Sequence, residues 1–194
     1  MRSLTTAALV LYLGVASLYA QQFGEEHATG RRVMMRFSGS IISSAIPLSP
    51  TTLNHEEHLE GNSNLGPFTY RGFWADDPAT RVNGTCGSGF GPNIQVTMGG
   101  GVFRFGDGSL LTVTLTSGVL CIDLSDPARP SGGLTENFWV TGGTGRFDGI
   151  ADSCAATPEA CTLQLTATRG VVLRDSANAV KFMTSVGEIE GTIP

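Results

Sequence analysis

The chain has 194 residues, of which 41% are hydrophobic and 15% charged, and that length suits one domain. Acids outnumber bases, 17 to 12, for a formal net charge of −5, so there is no electrostatic reason to bind nucleic acid. Cleavage after Ala20 would remove Arg2 and no acid, and so deepen the negative balance.

The first twenty residues, MRSLTTAALVLYLGVASLYA, place one charge before an apolar run and end on a small residue. This is the layout of a secretory signal, residues 1–20, and implies a secreted chain, periplasmic or extracellular. The run is short for a membrane span, although an uncleaved N-terminal anchor is the alternative. No later segment is apolar enough to cross a bilayer. Residues 21–32, QQFGEEHATGRR, lack periodicity and read as a flexible lead-in to a domain covering 33–194.

From Val33 onward the pattern is that of strands. Val33, Met35, Phe37 and Ile41 share one face, with Arg36, Ser38 and Ser40 on the other. HEEH at 55–58 is tempting as a metal motif, but the HExxH spacing is absent. On a strand its two histidines point apart, and the segment reads as a solvated acidic loop or strand. Phe68, Tyr70 and Trp74 share a parity and are candidates to line a ligand pocket or to fill a core. Arg71 lies on the other parity, with Thr69 and Phe73, and is a further pocket candidate that could meet an internal carboxylate. MGGG at 98–101 and GDGS at 106–109 carry hairpin chemistry, because glycine accepts the positive φ of tight turns.

Leu111, Val113 and Leu115 alternate with threonines, the mark of a half-buried antiparallel strand. At Gly118 the parity slips, which predicts a bulge or corner. In LTENFWVT, Glu136 shares parity with Leu134, Phe138 and Val140. If that row faces inward, Phe138 joins the pocket and burial raises the Glu136 pKa, which makes Glu136 the candidate catalytic residue. If Asn137 and Trp139 face inward instead, or Glu136 lies at the wet end of the strand, it is solvated.

VTGGTGRFDGIADS, from Val140, looks at first like a phosphate-binding loop. Such loops need a helix directly after the glycines, and a P-loop also needs its lysine. Neither is apparent. Gly142, Gly143, Thr144, Gly145, Arg146 and Phe147 therefore read as a structural turn between two strands, with Phe147 dropping into the core. Beyond it, Cys161, Leu163, Leu165 and Ala167 alternate with Thr162, Gln164, Thr166 and Thr168. About eight to ten strands fit, which predicts an all-β barrel or sandwich.

Cys86, Cys121, Cys154 and Cys161 make an even count behind a signal segment, and so two disulfides. Three pairings are possible. Cys86–Cys121 with Cys154–Cys161 is favoured, because the second closes the short loop CAATPEAC. In the chain-entropy picture these bonds stabilise by about 3.8 and 2.5 kcal/mol. Zinc, the rival, needs close-set ligand pairs such as CxxC, and none is present.

The segment SGGLTENFWVTGGTGRFDGIADS resembles the hairpin of the allene oxide cyclase–dirigent barrel superfamily, which includes small secreted bacterial proteins with a GGTGRF turn. EGNSNLGPFTY at 60–70 and GDGSLLTVTLTSG resemble two further strands of those proteins, in the same order. The resemblance covers roughly residues 33–190. It implies a single antiparallel β-barrel of about eight strands, a lumen for a small apolar ligand, and possible homo-oligomers. Characterised members cyclise a fatty-acid epoxide or steer phenolic radical coupling, but their pocket residues cannot be placed here residue by residue. CAATPEAC departs from the plain pattern.

The leading expectation is a non-catalytic small-molecule-binding or structural module of the cell envelope or exterior, with no cofactor and no metal. The alternatives are an isomerase or cyclase of the allene oxide cyclase type, using Glu136, and a dirigent-like coupling guide.

Overall fold

Alternating apolar and polar residues give each strand one dry and one wet face, and a closed barrel gathers all the dry faces into one lumen. The computed structural model describes residues 30–46, 48–86, 89–126, 130–174 and 180–194. Eight strands form it: β1 Arg31–Ser43, β2 Leu53–Ser63, β3 Gly66–Cys86, β4 Gly89–Phe105, β5 Leu110–Asp123, β6 Ser131–Thr144, β7 Thr162–Arg174 and β8 Val180–Ile193. Each pairs antiparallel with its chain neighbours, and β8 returns to β1, for example Ile189 opposite Met35, to close the barrel. No strand edge is left unpaired. The expected signal segment 1–20 lies outside the described residues. The expected lead-in ends two residues early, because Arg31 and Arg32 already belong to β1.

The rows Val33–Met35–Phe37–Ile41, Leu111–Val113–Leu115 and Cys161–Leu163–Leu165–Ala167 all face inward and are buried. The parity slip near Gly118 is a register shift in the β5–β6 pairing between Leu115 and Ser117, after which Leu120 becomes the inward residue. Among the described residues no helix is long and apolar enough to cross a membrane.

Two glycine motifs behave differently from the sequence expectation. MGGG is not a hairpin but lies within β4. Its glycines are needed because the neighbouring strand carries large inward side chains: a Cβ on Gly101 would stand 2.5 Å from the Tyr70 ring, and one on Gly99 would stand 2.8 Å from the Trp74 Cβ. GDGS is a hairpin, between β4 and β5, with Gly108 at φ 84°.

GGTGRF turns later than expected. Gly142, Gly143 and Thr144 still belong to β6, and Gly143 leaves space for the Phe147 side chain. The chain departs at Gly145, φ 65°, into a 3-10 turn, Gly145–Phe147. A short helix follows, α1 Ile150–Ala156, where no helix was expected. Seven residues are too few to display a period of 3.6, and the N-cap is Gly149 rather than a Ser, Thr, Asp or Asn. Arg146 lies over Phe105 and Phe147, at 4.5 and 4.9 Å, and pairs with Asp107 at 3.3 Å. The motif thus fastens one turn of the barrel to the next.

Phe147, Ile150 and Cys154 pack into the same apolar cluster as the lumen residues and plug this end. The Cys154–Cys161 disulfide ties α1 to the start of β7. Cys121 is disulfide-bonded as well, and the side chain of its expected partner, Cys86, lies outside the described residues.

Gly101→Ala tests the close packing of β4 on Tyr70. Replacing a strand glycine ordinarily stabilises by about 0.5–1 kcal/mol, whereas overpacking costs about 1–3 kcal/mol. A net loss of stability in denaturant unfolding is expected. A neutral or stabilising result would show that Tyr70 has room to move.

Candidate functional site

Among the described residues, four strands send ionisable side chains into the lumen, and β8 adds the buried hydroxyl of Ser185. On β2 the inward parity carries His55, Glu57 and Leu59; on β3 it carries Phe68, Tyr70, Trp74 and Asp76. On β6 it carries Leu134, Glu136 and Phe138, and on β7 Leu165, Ala167 and Arg169. His55, Glu57, Asp76, Glu136 and Arg169 are all at most 6% exposed. So many ionisable groups on apolar rows are costly to bury unless they pair or neutralise.

Two pairs form. Arg169 Nη2 donates to Glu57 Oε1 at 3.0 Å. His55 Nε2 donates to Asp76 Oδ1 at 2.7 Å. Trp74 joins the two: the His55 ring stacks on it at 4.0 Å, and the Arg169 guanidinium lies 5.3 Å from its centre. Among the described residues, Glu136 has no hydrogen-bond partner for either carboxyl oxygen. Burial, and then the Glu57 charge, push its pKa well above the ordinary carboxylate value, with Arg169 offsetting only part. Burial also raises the Glu57 pKa, against the pull of Arg169. Tyr70 is pushed up by burial and by both glutamates. One arginine among these groups thus serves one glutamate, and burial favours the protonated form of the second.

Beneath this polar layer the lumen is filled by rings. Tyr70 meets Phe103 at 4.5 Å, Phe138 meets Tyr70 at 6.3 Å, and Phe68 meets Phe103 at 5.9 Å. Above it the barrel opens. A cavity of about 490 Å³ occupies the end opposite the plug, within the range of small-molecule sites. His55, Asp76 and Arg169 line its inner end. Ile94, Leu120, Ile122 and Met183 form apolar wall, and Arg81 and Lys181 also line it.

The expected site residues divide accordingly. Glu136, Phe68, Tyr70, Trp74 and Phe138 point into the lumen, but none of them lines the cavity. Tyr70 packs on Phe138 and Phe103, and Phe68 on Phe103 and Phe105, whereas Trp74 stacks on His55 in the polar layer. Arg71 is a correction: it is exposed on the outer face, beside His58 and Phe73 in a surface groove, because odd positions of this part of β3 face away from the lumen. HEEH is another. It is a strand, but not a solvated one, since His55 and Glu57 are buried while Glu56 and His58 face out. Among the described residues no group of three or more His, Cys, Asp or Glu side chains is placed to hold a metal ion.

The residues missed in the sequence are His55, Glu57, Asp76 and Arg169. The signal for each was the alternation itself, carried one step further. Arg169 follows Leu165 and Ala167, Asp76 follows Trp74, and His55 and Glu57 precede Leu59.

Because Glu136 stays protonated on folding where the unfolded chain ionises it, its contribution to stability is full below about pH 4.5 and is lost as pH rises through the folded-state pKa. Glu136→Gln is therefore expected to melt like the parent near pH 4 and higher than it near pH 7.5. Each kcal/mol gained appears as about 2–4 °C in Tm. Parallel pH–Tm curves would mean that Glu136 is not held protonated. In comparisons with known proteins, no family model, curated protein or solved structure matches this chain.

Proposed function

We propose that this chain is an exported barrel that binds one small organic molecule in the open end of its lumen. The observation that carries this reading is the cavity of about 490 Å³, whose walls mix apolar residues such as Ile94, Leu120, Ile122 and Met183 with polar ones, and whose inner end is formed by His55, Asp76 and Arg169. Ligand sites have this make-up: an apolar enclosure for affinity and a few fixed polar groups for orientation. At the inner end, His55 Nδ1, Asp76 Oδ2 and Arg169 Nε and Nη1 have no hydrogen-bond partner among the described residues. Polar atoms so deeply buried are ordinarily paired, and a ligand with a polar end would pair them. The disulfide and the signal-like N-terminus support export. The GGTGRF segment and the barrel architecture support kinship with the allene oxide cyclase–dirigent superfamily. Binding is favoured over cyclisation by Glu136, because Glu136 lies beneath the cavity rather than on its lining.

Native mass spectrometry of the chain isolated from its own host, without refolding, tests this directly. One molecule of a few hundred daltons per barrel is expected. Ile122→Trp, which places an indole in the cavity, should abolish binding of the apolar fluorophore N-phenyl-1-naphthylamine while leaving near-ultraviolet circular dichroism of the core intact. An empty native barrel that also fails to bind the fluorophore would turn the reading toward a structural role.

A further inference from the structure

The inner end of the cavity holds more than a binding surface needs. Asp76 fixes the His55 ring through Nε2 at 2.7 Å, and Trp74 holds its plane by stacking at 4.0 Å. A carboxylate only accepts, so Nε2 donates the shared proton, and the neutral form of the His55 ring has its lone pair on Nδ1. That atom is buried and has no partner among the described residues, on a residue that lines the cavity. A purely structural buried histidine would ordinarily engage both nitrogens. On the same Trp74 stands Arg169, whose Nε and Nη1 have no partner among the described residues. A base oriented by a carboxylate, with a fixed cation sharing its platform, is the pair of groups needed to form and stabilise an enolate.

We infer that the cavity catalyses proton transfer at carbon, with His55 as the base, Arg169 as the stabiliser of the developing oxyanion, and Asp76 as the residue that positions His55. The inference rests on the binding reading above and adds the substrate class: an enolisable carbonyl compound with an apolar body. His55 Nδ1 takes a proton from the carbon beside the carbonyl. The C–H electron pair becomes a C=C bond, and the carbonyl π pair moves to oxygen beside the Arg169 guanidinium. The imidazolium then returns the proton, to that carbon, to oxygen or to the far carbon of a conjugated system. The product is an isomer of the substrate, no oxidant or reductant is consumed, and His55 ends as it began. Glu136, which lies away from the lining, takes no part.

The test uses the full disulfide-bonded chain in D2O with 2-tetralone and 2-decalone as probes. Proton NMR follows deuterium uptake at the α-carbons, and titration calorimetry follows binding in the same samples. Saturable uptake is expected at roughly 10²–10⁴ times the rate given by an equal concentration of free imidazole. His55→Gln should reduce it to that background while the ketone still binds. Asp76→Asn should lower kcat with KM nearly unchanged, the mark of a mispositioned base rather than a damaged cavity. Arg71→Gln, on the outer face, should leave the rate unchanged. If a variant misfolds, carbethoxylation of His55 in the parent chain replaces it: exchange should stop and return with hydroxylamine. Ketone that binds without accelerated exchange, or exchange that survives loss of His55, overturns the inference and leaves the binding reading standing. If neither ketone nor the fluorophore binds the parent chain, both fall together.

Discussion

Closure of the sheet is the constraint from which the other features follow. Once β8 pairs with β1, every inward row must share one narrow volume, and small barrels fill that volume with side chains. Rings fill the lower part, and this forces glycines into β4, where Tyr70 and Trp74 press against the wall. The phosphate-loop-like GGTGRF motif obeys the same demand. Its glycines admit Phe147, and its arginine fastens onto the GDGS turn beside it.

The strand alternation was legible in the sequence because threonine-rich wet faces contrast sharply with Leu, Val and Phe rows. Even the parity slip at Gly118 could be located from three residues. The plug was not legible. A seven-residue helix has no visible period, and its glycine N-cap is also a turn signal. MGGG was misread for a different reason. A glycine run can make a turn or clear space, and what decides is Tyr70 and Trp74 on the next strand, a non-local fact.

The polar layer was legible in principle, since each of its residues continues an apolar row. A charged residue at the end of such a row is usually the solvated rim, and charges are seldom fully buried unless paired. Only the pairing of Glu57 with Arg169, 112 residues apart, makes the inward reading the right one. Glu136 was located by its parity, yet its role was not. The burial that marks it as a titrating group also removes it from the cavity lining.

The plug and the disulfide that ties it make the barrel a blind-ended tube. Such a tube cannot conduct: nothing passes through it from one side to the other. On the binding reading proposed above, a ligand enters past Arg81 and Lys181, meets the polar layer and returns by the same door. On that reading, entry and release share one end of the barrel.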